Sequence, residues 1–464
     1  MARYFKFHSL ADIEAEVRRL GLDLRFSDDF TPLFPPVQVG SYRVGNAFCV
    51  QPMEGCDGTL DGQPDDLVFR RYERFGAGGA KLIWGEATAV IEEGRANPRQ
   101  LLINEKTAPS LGKMLDICRQ AHRRVHGNDD DLLVGLQLTH SGRYSYRKPL
   151  IAVHDPILDP RTKIDPSYSL LTDDELKRLV DHYVRAARLA HQVGYRFIDL
   201  KQCHRYLLGE LLAAKARPGP YGGSLENRTR LTRDIITAIR AEVPGLLIAT
   251  RMNVYDCIPY QKKADSNLGE PCPHSLPLEC AWGTNPTNPL APDLTEPIAW
   301  IAEMARLGVA LVNVSMGSPY ATPHVTRPFE YPPPDGYETP EHPLIGVARH
   351  FRLTAEIQRT FPQLPIVGSG YSYLQEFLPH AGAANLRDGR ATFIGVGRAT
   401  LAQPDFVKQL HEHGKLDRKR ICRTFSYCTA LMRSKHNELG QFATGCPPFD
   451  KEVYGPIWDK AKKK

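Results

Sequence analysis

TDDELKRLVDHYVRAARLAHQVGYRFIDLK, running from Thr172 to Lys201, joins two periodicities whose order decides the fold. Thr172 followed three residues later by Glu175 is a capping box, in which each side chain satisfies an orphan backbone N–H of the other's end of the turn. Leu176, Leu179, Tyr183, Ala187 and Ala190 then recur on one helical face. Gly194 ends the helix, because glycine adopts the left-handed conformation of a helix C-terminus without a Cβ clash. Arg196 to Lys201 follows at once as a short strand. A helix feeding directly into a buried strand is the repeating unit of a parallel sheet covered by helices.

Working outward, the same alternation recurs between about residue 45 and residue 414. Candidate strands lie near Asn46 to Pro52, Lys81 to Thr88, Leu132 to Thr139, Arg196 to Lys201, Leu246 to Asn253, Ala310 to Ser315, Pro365 to Ser369 and Ala391 to Gly395. Eight such pairs predict an α/β fold of the (β/α)₈ TIM-barrel type. Lys201 then sits at the C-terminal end of the fourth strand, the face on which such barrels place their catalytic groups. Two long connections rich in Pro, Asn and Gly, from about Tyr255 to Thr295 and from about Tyr320 to His342, both follow strand ends. They are expected to lie over that face and shape substrate access. The division expected is a barrel over residues 1–414 and a short Cys-containing C-terminal extension over 415–464.

The 464 residues are 42% hydrophobic and 24% charged, an ordinary balance for a globular protein with a substantial core. A formal charge of +6 arises from 59 basic and 53 acidic residues that are interleaved. Only Lys460 to Lys464 form a basic run, which reads as a solvated end; no nucleic-acid partner is expected. No stretch approaches the roughly 18 apolar residues of a membrane span, and MARYFKFHSLADIEAEVRRL carries acids where a signal peptide has an apolar core. The expectation is a cytoplasmic protein without a membrane partner, with homo-oligomerisation left open. Ten cysteines in that compartment do not make a disulfide scaffold.

The last two candidate strands end in small residues, Gly368-Ser369-Gly370 and Gly395-Val396-Gly397-Arg398. Glycines let backbone N–H groups approach an anion, and the loops after strands seven and eight are the usual phosphate site of these barrels. A phosphorylated ligand is the expectation.

Five segments, NAFCVQPMEG, LQLTHSGRYS, KQCHRYLLGELL, RPGPYGGSLENRTR and GVGRATLAQPDF, occur in the order found in flavin oxidoreductases of the Old Yellow Enzyme type. The chain resembles that family over about residues 30 to 414, most specifically in YGGSLENR, Tyr221 to Arg228. The resemblance implies FMN as cofactor and NADH or NADPH as hydride donor. It puts the flavin beside Pro52, Met53, Glu54 and Ala87, gives Gln137 the pyrimidine part, gives Arg251 the negative charge at N1 and O2 of the reduced ring, and gives the phosphate to Gly370, Gly397 and Arg398. The family's catalytic His-x-x-His or His-x-x-Asn, followed after one residue by Tyr, here reads Lys201-Gln202-Cys203-His204-Arg205-Tyr206. Lys201 replaces the first His, and Arg205 stands where the family often has Gly. Lys201 and His204 would bind the acceptor oxygen, since a cation polarises an oxygen on which charge develops, and Tyr206 would donate a proton.

Two further departures bear on chemistry. Glu54 replaces a small, thiol or hydroxyl residue near flavin N5 and O4, where a carboxylate lowers the reduction potential or holds a proton. At the C-terminus, Cys422, Cys428 and Cys446 fit three places of the [4Fe–4S] site that larger members carry, but Phe425 occupies the second. Four thiolates normally hold such a cluster, so none is expected; zinc on three Cys and a residue such as His436 is the minor alternative, and no metal ligand is assigned.

The function implied is ping-pong hydride transfer through flavin N5 to an activated C=C bond of a small molecule, the ene-reductase type. Amine or acyl-CoA-ester oxidation or reduction within the same family is the first alternative, although the thiol that links flavin in the amine enzymes would fall at Glu54. A phosphate-binding Schiff-base aldolase using Lys201, or a binder that keeps FMN without turnover, are the others.

Overall fold

The computed structural model describes residues 5–434 and 437–462; His436, Lys463 and Lys464 lie outside the described residues. Eight parallel strands close into a barrel: β1 Phe48–Val50, β2 Leu82–Ala89, β3 Leu133–Thr139, β4 Phe197–Leu200, β5 Leu247–Asn253, β6 Val309–Ser315, β7 Ile366–Gly368 and β8 Phe393–Val396. Each pairs with its neighbours in chain order, and β8 returns to β1 through Ile394 opposite Phe48 and Val396 opposite Val50. Nearly every residue of these strands is buried, because barrel strands face packed side chains on both sides. The outer ring comprises α1 Asp66–Ala77, α2 Ala108–His126, α3 Asp173–Gln192, α4 Leu225–Glu242, α5 Thr295–Arg306, α6 Pro343–Thr360, α7 Leu378–Arg387 and α8 Phe406–His413.

Helix α3 has the capping box read from its sequence: Thr172 Oγ1 accepts from the Glu175 backbone N–H, and the Glu175 carboxylate accepts from the Thr172 N–H at 2.7 Å. Its apolar face, including Leu176, Leu179, Tyr183 and Ala187, is buried. Inside the barrel the N-terminal layer is apolar, with Trp84 and Phe197 edge-to-face at 5.1 Å among Cys49, Leu82, Leu133, Leu311 and Phe393. A hairpin of Val37–Val39 and Tyr42–Val44 packs against this layer through Val39 and Val44 and closes that end.

The next layer is polar. Asp199 on β4 accepts hydrogen bonds from Trp84 Nε1 at 2.7 Å, Gln137 Nε2 at 2.5 Å and the Arg251 backbone N–H at 2.6 Å. Burial pushes its carboxyl up to about 6 against these bonds, which favour the anion. Across the barrel Gln51 and Asn313 exchange amide hydrogen bonds at 2.7 and 3.2 Å. Everything that follows sits on this floor, at the C-terminal ends of the strands.

Of the two long connections, the second lines the cavity described below and the first does not. The first carries a small hairpin, Tyr260–Lys262 with Gly269–Pro271. It acts on the site at one remove, through Asp256 and its ion pair to Arg205. Among the described residues no helix is long and apolar enough to cross a membrane.

Candidate active site

A cavity of about 1210 Å³, counting the space open to solvent, occupies the C-terminal face of the barrel. The residues expected from the sequence to act in catalysis or hold the cofactor all line it: Pro52, Met53 and Glu54 after β1, Ala87 in β2, Gln137 in β3, Lys201, His204 and Tyr206 after β4, Arg251 in β5, Gly370 after β7, and Gly397 and Arg398 after β8. Ala87 is aimed by an irregularity in the β2–β3 register between Trp84 and Ala87, a bulge that turns a strand's side chains toward a site.

The β4 segment is the most constrained. His204 and Arg205 both have φ near +62°, a conformation costing roughly 1–2 kcal/mol for each residue with a Cβ. It persists because Arg205 is fixed by buried ion pairs to Asp155 at 2.5 Å and Asp256 at 3.1 Å. The turn presents His204 to the cavity, with its Nε2 3.3 Å from Ser315 Oγ. Burial, then Arg251 and Lys201, hold its imidazole well below the usual 6.5, so it is neutral. Tyr206 caps the short helix Leu207–Leu212. Glu210 of that helix is tied to Arg143 at 2.7 Å, with both side chains 0% exposed.

Lys201 Nζ lies 3.6 Å from the centroid of the Tyr206 ring, a cation–π contact. Burial lowers its pKa from 10.5, and Glu54 opposes that shift. Burial likewise raises the Glu54 carboxyl, with Lys201 and the hydrogen bond from Asn97 opposing. Asn97 Nδ2 donates to Glu54 at 2.6 Å and is itself held by Gln441 Nε2 at 2.9 Å. Glu54 therefore makes no ion pair within 4 Å among the described residues; an amide holds it instead. The Tyr206 hydroxyl is 3.0 Å from that of Tyr320, and burial raises its pKa well above 10.

The profile of the NADH:flavin oxidoreductase / NADH oxidase family matches residues 32–267, just over half of the chain. The chain belongs to this family. With membership come a flavin-dependent oxidoreductase, FMN as its cofactor and a reduced nicotinamide as its electron source. An NADPH dehydrogenase of a Geobacillus strain is 28% identical over 247 residues, 50% of this chain and 69% of that protein. Among solved structures, a 2-naphthoyl-CoA reductase complex has a TM-score of 0.66 at 18% identity, covering 93% of this chain and 58% of its own. An Old Yellow Enzyme homologue from Zymomonas mobilis has a TM-score of 0.58 at 20% identity, covering 85% of this chain and 96% of its own. The chain thus spans little more than half of the first of these structures and nearly all of the second.

The donor set suits the family's cofactor. Arg251 Nε and Arg398 Nη1 are buried without a hydrogen-bond partner, a costly state for guanidinium N–H groups unless an acceptor arrives. Gly370 has φ +96°, and a Cβ there would lie 3.0 Å from the His350 side chain, so the backbone at this point needs glycine. At Gly397 a Cβ would meet the Met53 sulfur at 3.3 Å and the Gln51 Cβ at 3.7 Å. Pro52, Met53, Gln137 and Arg251 would hold the ring system, and Gly370, Gly397 and Arg398 the phosphate.

Sequence reasoning missed Gln51, Tyr320 and Arg327, and did not use the segment after 415 as part of the site. Cys428, Thr429, Met432, Arg433 and Thr444 all line the cavity. Tyr320 and Arg327 lie in a Pro-rich connection without periodicity, so nothing local marks them. Cys422, Cys428, Cys446 and Phe425 line an adjoining apolar pocket that meets the main cavity at Arg398 and Cys428. Among the described residues no group of three or more His, Cys, Asp or Glu is placed to hold a metal ion.

Proposed function

We propose that the chain takes reducing equivalents from NADH or NADPH and delivers them to an activated C=C bond, with Lys201 and His204 binding the acceptor's oxygen and Tyr206 supplying the proton. The observation that carries this reading is the convergence of these three side chains on one cavity with the residues suited to the flavin. FMN, when bound, supplies hydride transfer at N5. Lys201 brings a desolvated cation with no carboxylate within 4 Å among the described residues, so its field falls on the acceptor oxygen as that oxygen gains charge. Neutral His204 offers one N–H donor and leaves Lys201 as the charged member of the pair. Tyr206 stays protonated across the working pH range. It can be resupplied through Tyr320, whose side chain reaches solvent at 38% exposure. Burial raises the Glu54 carboxyl and so favours its neutral form, which would lessen negative charge beside the ring.

The purified protein is expected to be yellow, with FMN released by acid and its visible absorbance bleached by NADH or NADPH and restored by an enone. A colourless chain that cannot be reconstituted with FMN overturns the reading; one that bleaches but is not reoxidised by an enone removes the C=C assignment.

A pH dependence follows from Lys201. Its cation is present at low pH and is lost as pH rises through a pKa lowered from 10.5, so the rate of reoxidation by an enone is expected to fall on the alkaline side beginning below 10.5. Lys201→Arg keeps its charge at all accessible pH and is expected to remove that fall. Superimposable alkaline limbs for the two proteins would show that another group titrates.

A further inference from the structure

Arg327, in the connection after β6, has Nε and Nη2 buried with no partner, while its Nη1 donates to Thr429 Oγ1 at 2.8 Å. Arg398 donates Nη2 to the carbonyl of Pro328, the next residue, at 2.6 Å, and its Nη1 is also unpartnered. Neither makes a carboxylate contact within 4 Å among the described residues. The two guanidiniums are close enough that burial, then Arg398 and Arg433, bring Arg327 down to about 9. Two desolvated cations beside each other, with three buried N–H nitrogens lacking acceptors, describe half of a site whose other half is an anion of more than one charge. Arg398 directly follows Gly397 and shares the cavity with Gly370, so the dianion that fits is a phosphate monoester.

We propose that Arg327 is a second phosphate-binding residue, clamping the FMN phosphate together with Arg398, and that Thr429 couples this clamp to the docking of the C-terminal segment. The inference rests on the FMN reading above. Thr429 belongs to the helix Tyr427–Arg433. The segment that carries it is held to the rest of the chain by further polar contacts, among them Arg433 to Asp335 at 2.6 Å, the Thr444 N–H to the Gly55 carbonyl at 2.7 Å, Ser426 Oγ to the Tyr331 carbonyl at 2.7 Å, and Asp450 to Arg70 and Arg74 at 2.7 and 2.6 Å. An anion that orders Arg327 strengthens its bond to Thr429. By linkage, a docked segment binds the anion more tightly.

Riboflavin, which carries the same ring and no phosphate, separates the phosphate from everything else. The full chain stripped of flavin is titrated with FMN and with riboflavin by fluorescence quenching. Arg327→Ala is expected to weaken FMN about 10- to 100-fold while leaving riboflavin unchanged. Arg327→Lys, with one charge but no fork, is expected to fall between. Tryptic cleavage within residues 415–462 is expected to slow with FMN but not with riboflavin, and Thr429→Val to abolish that difference. Equal losses for both flavins in Arg327→Ala, no loss for either, or equal protection by both would overturn the proposal. So would a variant that keeps its FMN affinity and loses only saturation by the acceptor, which would assign Arg327 to the substrate. A wild-type chain that binds neither flavin would instead overturn the FMN reading itself.

Discussion

Lys201→Ala is expected to slow reoxidation of the reduced enzyme by an enone about 10²–10³-fold, the usual cost of removing one donor aimed at a developing oxyanion. Reduction by NAD(P)H should change little, because the substitution removes an interaction made to the acceptor. The magnitude rests on placement: the ammonium ends β4, is buried, stands over the Tyr206 ring at 3.6 Å and has no carboxylate of its own within 4 Å among the described residues. His204→Ala should act on the same step. Stopped-flow measurement of the two half-reactions separates them, and an unchanged oxidative rate in both variants would mean that the acceptor is bound elsewhere.

Arg143→Met is expected to lower stability by about 3–5 kcal/mol, the cost of leaving buried carboxylates without their cation. Arg143 is 0% exposed and reaches Glu210 at 2.7 Å, Asp159 at 2.5 Å and the Val153 carbonyl at 2.9 Å. Glu210 also accepts from the Ala152 N–H at 2.7 Å. Because Glu210 lies on the helix that Tyr206 caps, the same change should loosen Tyr206 and lower the oxidative rate. Urea unfolding at fixed FMN concentration measures the first effect. The double variant with Glu210→Gln should recover part of the loss, since it removes one stranded charge. A loss below about 1 kcal/mol for Arg143→Met would refute the argument.

The barrel was legible because parallel strands covered on both faces are continuous apolar runs. All eight appear within three residues of where Val, Ile, Leu and Ala cluster, and α3 begins at the Thr172–Glu175 box. The residues gathered at the strand ends were legible for a topological reason: a barrel brings every strand's C-terminal end to one rim. The rest depended on contacts that no local pattern encodes. The β2 irregularity that aims Ala87, the amide that holds Glu54, and the bond from Arg327 to Thr429 each involve partners far away in sequence. Several residues in the segments that carry the family resemblance serve as scaffolding. Arg143, Glu210, Arg217 and Arg228 make buried or half-buried ion pairs around the loops, and a sequence alone does not distinguish such a pair from a binding group.

The pairing of β8 with β1 sets a timetable for biosynthesis. Phe48 emerges from the ribosome long before Ile394 and waits for it before the ring of strands can close. Until then the nascent sheet has two open edges, the kind of template that invites pairing with other chains. Gly397 and Arg398 come next, and Thr429 and Thr444, the furthest along the sequence of the described residues in the cavity wall, emerge later still. The cavity wall is therefore complete only once Thr444 has been made. A message truncated after α8 would yield a protein that closes its ring yet lacks the wall built by Cys428, Thr429, Met432, Arg433 and Thr444, and on the FMN reading cells expressing it should accumulate a pale, protease-sensitive product.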